Sequence, residues 1–417
     1  MLGFTVLPAL AAVSPLVVLP FLARTTGPEG WASALAGEAV GTFAAIALAF
    51  GWTTVGPAMV SVASDVRRGE LYREALTVRS LTALIALPIM AVVCALVASD
   101  GHALLAVLMG LQGALIAMSY TWFAVGLGDP WSIALYDAVP RVVAAILVAG
   151  AIGFLGAPVE LYPLSGIAVT VIGTALYTVR ILRRFPAAWP SRRGIPALFR
   201  LTGHVAVNEG ALGLYSSVPV PLVTAVTPED AAGYASGDKM VKLGQFLPIT
   251  LANALQYWTA EVTGEARAHR LRRALGLHIG MGLLGWVALG SLGSFVSLLL
   301  FGEQAAAPLG IVIVLGFSFA CYSTRTSMIR HFLFPANATS TVMVATLVAS
   351  AVGLPVMIAL TFVVGPLGTA IGYALTEAIS TAWMIRRTRR SYVELVAAPA
   401  AHAATPGVDD PDDRIVP

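Results

Sequence analysis

The chain has 417 residues, 58% of them hydrophobic and only 11% charged, with a formal net charge of +3 and a mean hydropathy of +0.83. A soluble domain carries about 25% charged residues, and no soluble core absorbs this much apolar surface. The charges are also bunched, leaving apolar runs of about 20 residues, each long enough to cross a bilayer as a helix. The composition therefore excludes a soluble globular domain and points to an all-α polytopic membrane protein with no nucleic-acid partner.

Twelve spans are predicted in chain order, at 3–23, 33–62, 79–99, 102–127, 131–154, 161–181, 201–226, 232–259, 274–300, 306–325, 339–364 and 366–385. The first lacks a charged leading region and reads as a spanning helix instead of a cleaved signal. Its prolines Pro8, Pro15 and Pro20 predict a bend, tolerated because neighbouring helices satisfy the freed carbonyls. Cys94 and Cys321 fall inside spans as small apolar fillers, without disulfide or metal-ligand spacing. The end of the chain, from about residue 391, is rich in Ala, Pro and Asp and is expected to be disordered.

Basic residues set the orientation. Of the 25 Lys and Arg, 20 fall on one side of this topology, in 66–79, 180–200, 261–273 and 386–390 and at Arg325 and Arg330. The connections on the other side hold only Arg24. The basic side is expected to be cytoplasmic, which puts both termini in the cytoplasm.

Two short stretches repeat. "TGPEGWAS" (26–33) lies between spans 1 and 2, and "TPEDAAGYAS" (227–236) lies between spans 7 and 8. They are six helices apart, so the two halves point the same way through the membrane. Asp65-Val66 and Glu261-Val262 close spans 2 and 8 before basic segments, and "VRILRR" and "MIRRTRR" close spans 6 and 12. The pattern predicts a lobe over 1–182, a linker over 183–200, a second lobe over 201–388 and a tail over 389–417. Parallel repeats of this kind occur in transporters that rock one bundle against the other. Duplication that only records evolutionary history is the plainer alternative.

At these residues the chain resembles a known family. "LARTTGPEGWA" after a Pro-bent first helix, "AAGYASGDKMVKLGQFL" opening the eighth span and "FLFPANATST" before the eleventh resemble the polysaccharide-exporter branch of the multidrug/oligosaccharidyl-lipid/polysaccharide exporter superfamily. The resemblance covers residues 1–390. It implies twelve helices in two parallel-repeat six-helix bundles around a central cavity, and flipping of a polyprenyl-diphosphate-linked saccharide across a bacterial cytoplasmic membrane by alternating access. It also implies an ion gradient, H+ or Na+, as the driving force, no catalytic residues and no cofactor. A polymerase or glycosyltransferases are potential partners beside membrane lipid. Two departures bear on the branch. The first span has no acid, unlike many drug exporters of the superfamily, and no thirteenth or fourteenth helix appears, unlike the lipid II flippases.

Ionisable groups inside spans are costly and usually face a cavity or a partner. Lys239 and Lys242 are the only two lysines, three residues apart on one helical face. They are candidates for contacting the diphosphate, the alternative being a snorkelling pair with Asp238 bonded to Lys242. Arg24 is a second phosphate candidate or an interfacial anchor, and Arg141 has Asp137 four residues before it, a spacing that suits an internal ion pair. Glu209, Glu377 and Asp238 are the candidates for ion coupling, with Glu38 a weaker one. His204 and His278 read as interfacial, and Trp52, Trp122, Tyr136, Tyr215, Tyr257 and Trp258 mostly as an aromatic belt. The main alternative function is a cation- or proton-coupled small-molecule or drug antiporter on the same fold. A membrane enzyme is disfavoured, because the outer loops are about ten residues or fewer and hold no paired carboxylates or metal cluster.

Overall fold

The computed structural model describes residues 15–397, which form helices joined by short connections, with no strand among them. Pro8 and the residues after Ala397 lie outside the described range. Twelve spans follow one another. The first two form one long helix, Pro15–Ala49, bent at Gly27 (φ 69°, ψ −179°), a conformation open to glycine. The second span continues as Trp52–Ser61 beyond a break at Phe50 and Gly51, both with positive φ. Then come Asp65–Val97, Ala103–Leu127, Pro130–Leu155 and Leu161–Arg184. The second lobe repeats the order with 195–226, 231–260, Gly264–Phe301, Leu309–Leu333, Thr339–Val364 and Pro366–Ala397. The two six-helix lobes meet around a cavity.

Eight helices are individually long and apolar enough to cross a membrane. The first two spans count as one among them because the chain stays helical through Gly27. The seventh, eighth and twelfth do not qualify alone. The seventh is interrupted at Val218-Pro219 and the eighth at Gln245, and the twelfth carries buried Thr, Ser and Glu side chains. The third and ninth spans are the opposite case. Leu84, Ile89, Val92 and Leu96, and likewise Leu284, Val287 and Phe295, are exposed in rows, as a lipid-facing surface requires.

Three of the basic segments are helical extensions and not loops, while the segment between the lobes is non-helical over 185–194. The third span begins at Asp65, fourteen residues before the predicted start at 79, and the ninth begins at Gly264 instead of 274. Arg, Glu and Leu are strong helix formers, and pairs one or two turns apart reinforce the third helix: Arg67 Nη1 lies 3.0 Å from Glu70 and 2.7 Å from Glu74, and Arg68 lies 3.0 Å from Asp65. The twelfth helix likewise runs to Ala397, past the predicted tail start, with Arg387 paired to Glu394 at 2.6 Å.

Small residues let the helices approach. A Cβ on Gly41 would sit 2.0 Å from the Gly110 carbonyl oxygen, and one on Gly37 would sit 2.1 Å from that of Ala106. The second and fourth spans therefore touch backbone to backbone along a small-xxx-small face.

Three readings of basic and aromatic residues are corrected. Arg73, Arg79 and Arg325, counted with the cytoplasmic cations, are buried. Arg79 donates to the Ser119 carbonyl at 3.1 Å and lies over the Trp122 ring. Trp52 and Trp122 are not belt residues but core, packed 5.8 Å apart in a cluster with Tyr72 and Phe123. His278 is fully buried, with Nδ1 2.9 Å from the Ala274 oxygen and Nε2 3.2 Å from that of Pro248. Arg73, Arg79 and His278 find backbone carbonyls inside the bundle, a satisfaction that residue type alone does not reveal, whereas the buried Trp52 indole N–H has no partner.

Candidate functional site

The two repeated hinges touch each other. Trp31 of the first donates its indole N–H to Ser236 of the second at 2.8 Å, and the Trp31 ring packs 5.0 Å from Phe301. This joins the lobes at the end away from the arginine-rich segments. At the other end Phe50 packs edge-on against Phe199, 4.9 Å apart, and Thr54 donates to Glu209.

Between these contacts lies a cavity of about 650 Å3. The first lobe supplies most of its wall, with Glu38, Thr42, Gln112, Asp137, Arg141, Tyr162 and Ser165 among the polar groups. The second lobe contributes Lys239, Lys242, Leu243 and Phe246 from the eighth span. Those four are spaced i, i+3, i+4 and i+7, one face of a helix. The preceding stretch Ala231–Asp238 is buried against neighbouring helices, which fixes that face toward the cavity.

Each cavity cation already has a carboxylate. Lys239 Nζ donates to both oxygens of Glu38, at 2.6 and 2.7 Å, linking the eighth span to the second. Lys242 lies 2.7 Å from Asp238, whose side chain is 6% exposed. Arg141 donates to Asp137 at 2.5 Å and to Thr170 at 3.2 Å. Asp137 sits in a wide turn, residues 134–138, just before Pro140. Proline has no N–H to complete the regular ladder, and the freed Tyr136 carbonyl packs against Gly173, where a Cβ would come within 2.0 Å. The cavity is thus rich in charge yet balanced: three cations against Glu38, Asp137 and Asp238.

The structure brings Lys239, Lys242 and Arg141 together on the wall of this cavity, with Asp238 buried behind Lys242, and leaves three other sequence candidates elsewhere. Arg24 donates to the Leu299 carbonyl at 2.5 Å, beside Gly302, and does not line the cavity. Glu209 accepts from Thr54 outside it. Glu377 is buried in the second lobe, where Arg325 Nη2 lies 3.0 Å from Oε2 and 3.1 Å from Oε1, and Tyr215 donates to Oε1 at 3.0 Å. Arg325 also donates to the Tyr215 oxygen at 3.0 Å, closing a ring of three side chains. A carboxylate held this way is a structural anchor, so Glu377 does not stand in the cavity as a free acid. Sequence reasoning counted Arg325 with the cytoplasmic cations and gave it no role inside the bundle. It also ranked Glu38 low, since its partner is some 200 residues away. Gln112, a cavity residue whose buried Oε1 has no partner, was missed as well.

No family model matches the chain, and no curated protein is similar to it in sequence. Solved structures are similar in fold. The lipid II flippase MurJ in an inward closed conformation superposes with a TM-score of 0.72 at 13% identity, over 95% of this chain and 90% of that one. An inward-facing multidrug resistance MATE family transporter of the MOP superfamily gives 0.62 at 14% identity, over 92% and 95%. The Vibrio cholerae MATE transporter VcmN gives 0.58 at 13% identity, over 94% of both chains. These neighbours are transporters and flippases, and the polysaccharide-exporter branch is not singled out among them. The chain is therefore a multi-pass membrane protein whose two six-helix lobes build the fold shared by MurJ and the MATE transporters.

Proposed function

We propose that the protein is a flippase that moves an anionic, lipid-linked headgroup across the membrane by rocking its two lobes. The observation that carries this reading is the convergence of Lys239, Lys242 and Arg141 on one cavity between the lobes. An ammonium is a compact charge that binds phosphate without fork geometry, whereas guanidinium adds bidentate bonding. A cargo with two adjacent phosphates suits such a wall, and a polyprenyl-diphosphate-linked saccharide is the cargo class proposed. The neutral polar groups Thr42, Gln112, Tyr162 and Ser165 supply donors and acceptors for sugar hydroxyls. A volume of about 650 Å3 sits within the 300–1,000 Å3 usual for a compact ligand. It suits a diphosphate with a short saccharide.

In this reading the arginine-rich end faces the cytoplasm of a bacterial cell. The lobes alternate, and an H+ or Na+ gradient drives the cycle. Arg325 engages Glu377, so Glu209 becomes the leading acid for coupling. A second reading, an ion-coupled small-molecule antiporter, is favoured by one observation: the cavity holds Glu38 and Asp137 as well as its cations.

Native mass spectrometry tests the assignment, with protein gently extracted from its source membrane and compared with a Lys239→Ala, Lys242→Ala variant. A co-purifying polyprenyl-diphosphate glycan that is lost in the variant is the expected result. A glycan retained equally in both removes the lysines from the site. A small cationic drug displacing nothing anionic, with no glycan in either protein, favours the antiporter.

A further inference from the structure

The Glu38–Lys239 pair differs from every other ion pair in the described residues, because it alone joins one lobe to the other. The Lys242–Asp238 and Arg141–Asp137 pairs are i,i+4 contacts within a single helix and travel with it. Lys239 Nζ has three protons to donate, and Glu38 takes two of them with both oxygens, at 2.6 and 2.7 Å. Both residues line the cavity, so a ligand reaching Lys239 meets Glu38 already bound there.

We propose that Glu38 is a specificity-determining residue, a tethered counter-anion on Lys239 that sets the charge a ligand must carry, admitting diphosphates and rejecting the singly charged phosphodiesters of bulk lipid. The proposal rests on the flippase reading above and adds how the same site discriminates. A carboxylate fixed to the wall competes at an effective concentration of about millimolar or more. A phosphodiester brings one negative charge against an opponent of equal charge, and loses. A diphosphate brings at least two and reaches Lys242 as well, which stands one turn away with Cβ atoms about 5–6 Å apart. The second cation tips the exchange. The exchange is also tolerable for the acid it displaces. The Glu38 side chain is 33% exposed to the cavity while that of Lys239 is 12% exposed, so the acid, not the lysine, is the partner with access to water. A displaced Glu38 is rehydrated instead of being left as a lone charge in apolar packing.

The test uses the full chain in detergent and two probes with identical tails, dioctanoylglycerol diphosphate and dioctanoylphosphatidylglycerol, titrated calorimetrically. The wild type is expected to prefer the diphosphate. In Glu38→Gln, phosphatidylglycerol binding should tighten about tenfold, the change expected when one charge-assisted contact stops competing, and the preference should collapse. Should that variant not fold, Glu38→Asp keeps the charge but shortens its reach, and an intermediate loss of preference is expected. An unchanged preference in the folded Glu38 variants, while Lys239→Ala still weakens diphosphate binding, overturns the charge threshold and leaves the flippase reading standing. If the wild type shows no preference and Lys239→Ala changes neither affinity, the anionic-cargo reading fails and the threshold fails with it.

Discussion

Arg325→Ala should destabilise the second lobe severely, while Arg325→Met with Glu377→Leu should restore most of the loss. The two charges sit on the tenth and twelfth spans, and their side chains are 8% and 1% exposed. With nitrogen and oxygen 3.0 Å apart, the charge centres lie about 4 Å apart, worth about 4 kcal/mol at an effective dielectric constant of 20. That agrees with the 3–5 kcal/mol lost when one partner of a buried pair is removed. The single variant leaves Glu377 with only Tyr215 as partner and leaves the Tyr215 oxygen without the Arg325 donor. Replacing both charges with apolar side chains of similar volume is often neutral or stabilising. The two cysteines provide the assay. Cys94 is buried and Cys321 half-buried, so a thiol-reactive fluorophore reports unfolding in detergent as temperature rises. A single variant that melts with the wild type would refute the reasoning, as would a double variant no more stable than the single one.

Other substitutions follow from the same geometry. Gly41→Ala drives a methyl into the Gly110 carbonyl and should cost about 1–3 kcal/mol by overpacking the second span against the fourth, read in the same melt. Arg24→Ala removes one bond to the Leu299 carbonyl outside the cavity and should leave diphosphate-lipid affinity unchanged, a result checked by the titration described above. Trp31→Phe deletes the hinge-to-hinge hydrogen bond to Ser236, worth about 1 kcal/mol, and should lengthen spin-label distances between the lobes at that end. Glu209→Gln keeps an acceptor for Thr54 but removes the charge. In proteoliposomes its flipping rate should no longer respond to an imposed proton or sodium gradient, and a retained response would dismiss Glu209 as the coupling acid.

The membrane class, the order of the spans and the two-lobe duplication were legible along the chain, because they depend on local composition. A run of apolar residues must span a bilayer, and the hinge stretches at 26–33 and 227–236 recur wherever the duplicated unit recurs. The i,i+4 pairs Arg141–Asp137 and Lys242–Asp238 were legible for the same reason, since helical geometry alone places those side chains together. Helix ends were not: the helices that begin at Asp65 and Gly264 run through segments that look like basic loops. Hydropathy marks where lipid ends, whereas helix formers and salt bridges carry the backbone on past it.

Partners distant in sequence were decided only by the tertiary structure. Arg325 looks like one more cation of the basic face until the twelfth span sets Glu377 beside it, and Arg79 until the Ser119 carbonyl does the same. Glu38 and Lys239 are separated by 201 residues, and only the packing of the second span on the eighth makes them a pair. A single chain reports which charges it carries and on which helical face. Whether a charge meets water, a counter-ion or a backbone carbonyl depends on which helix packs next to it, and that is a property of the folded bundle.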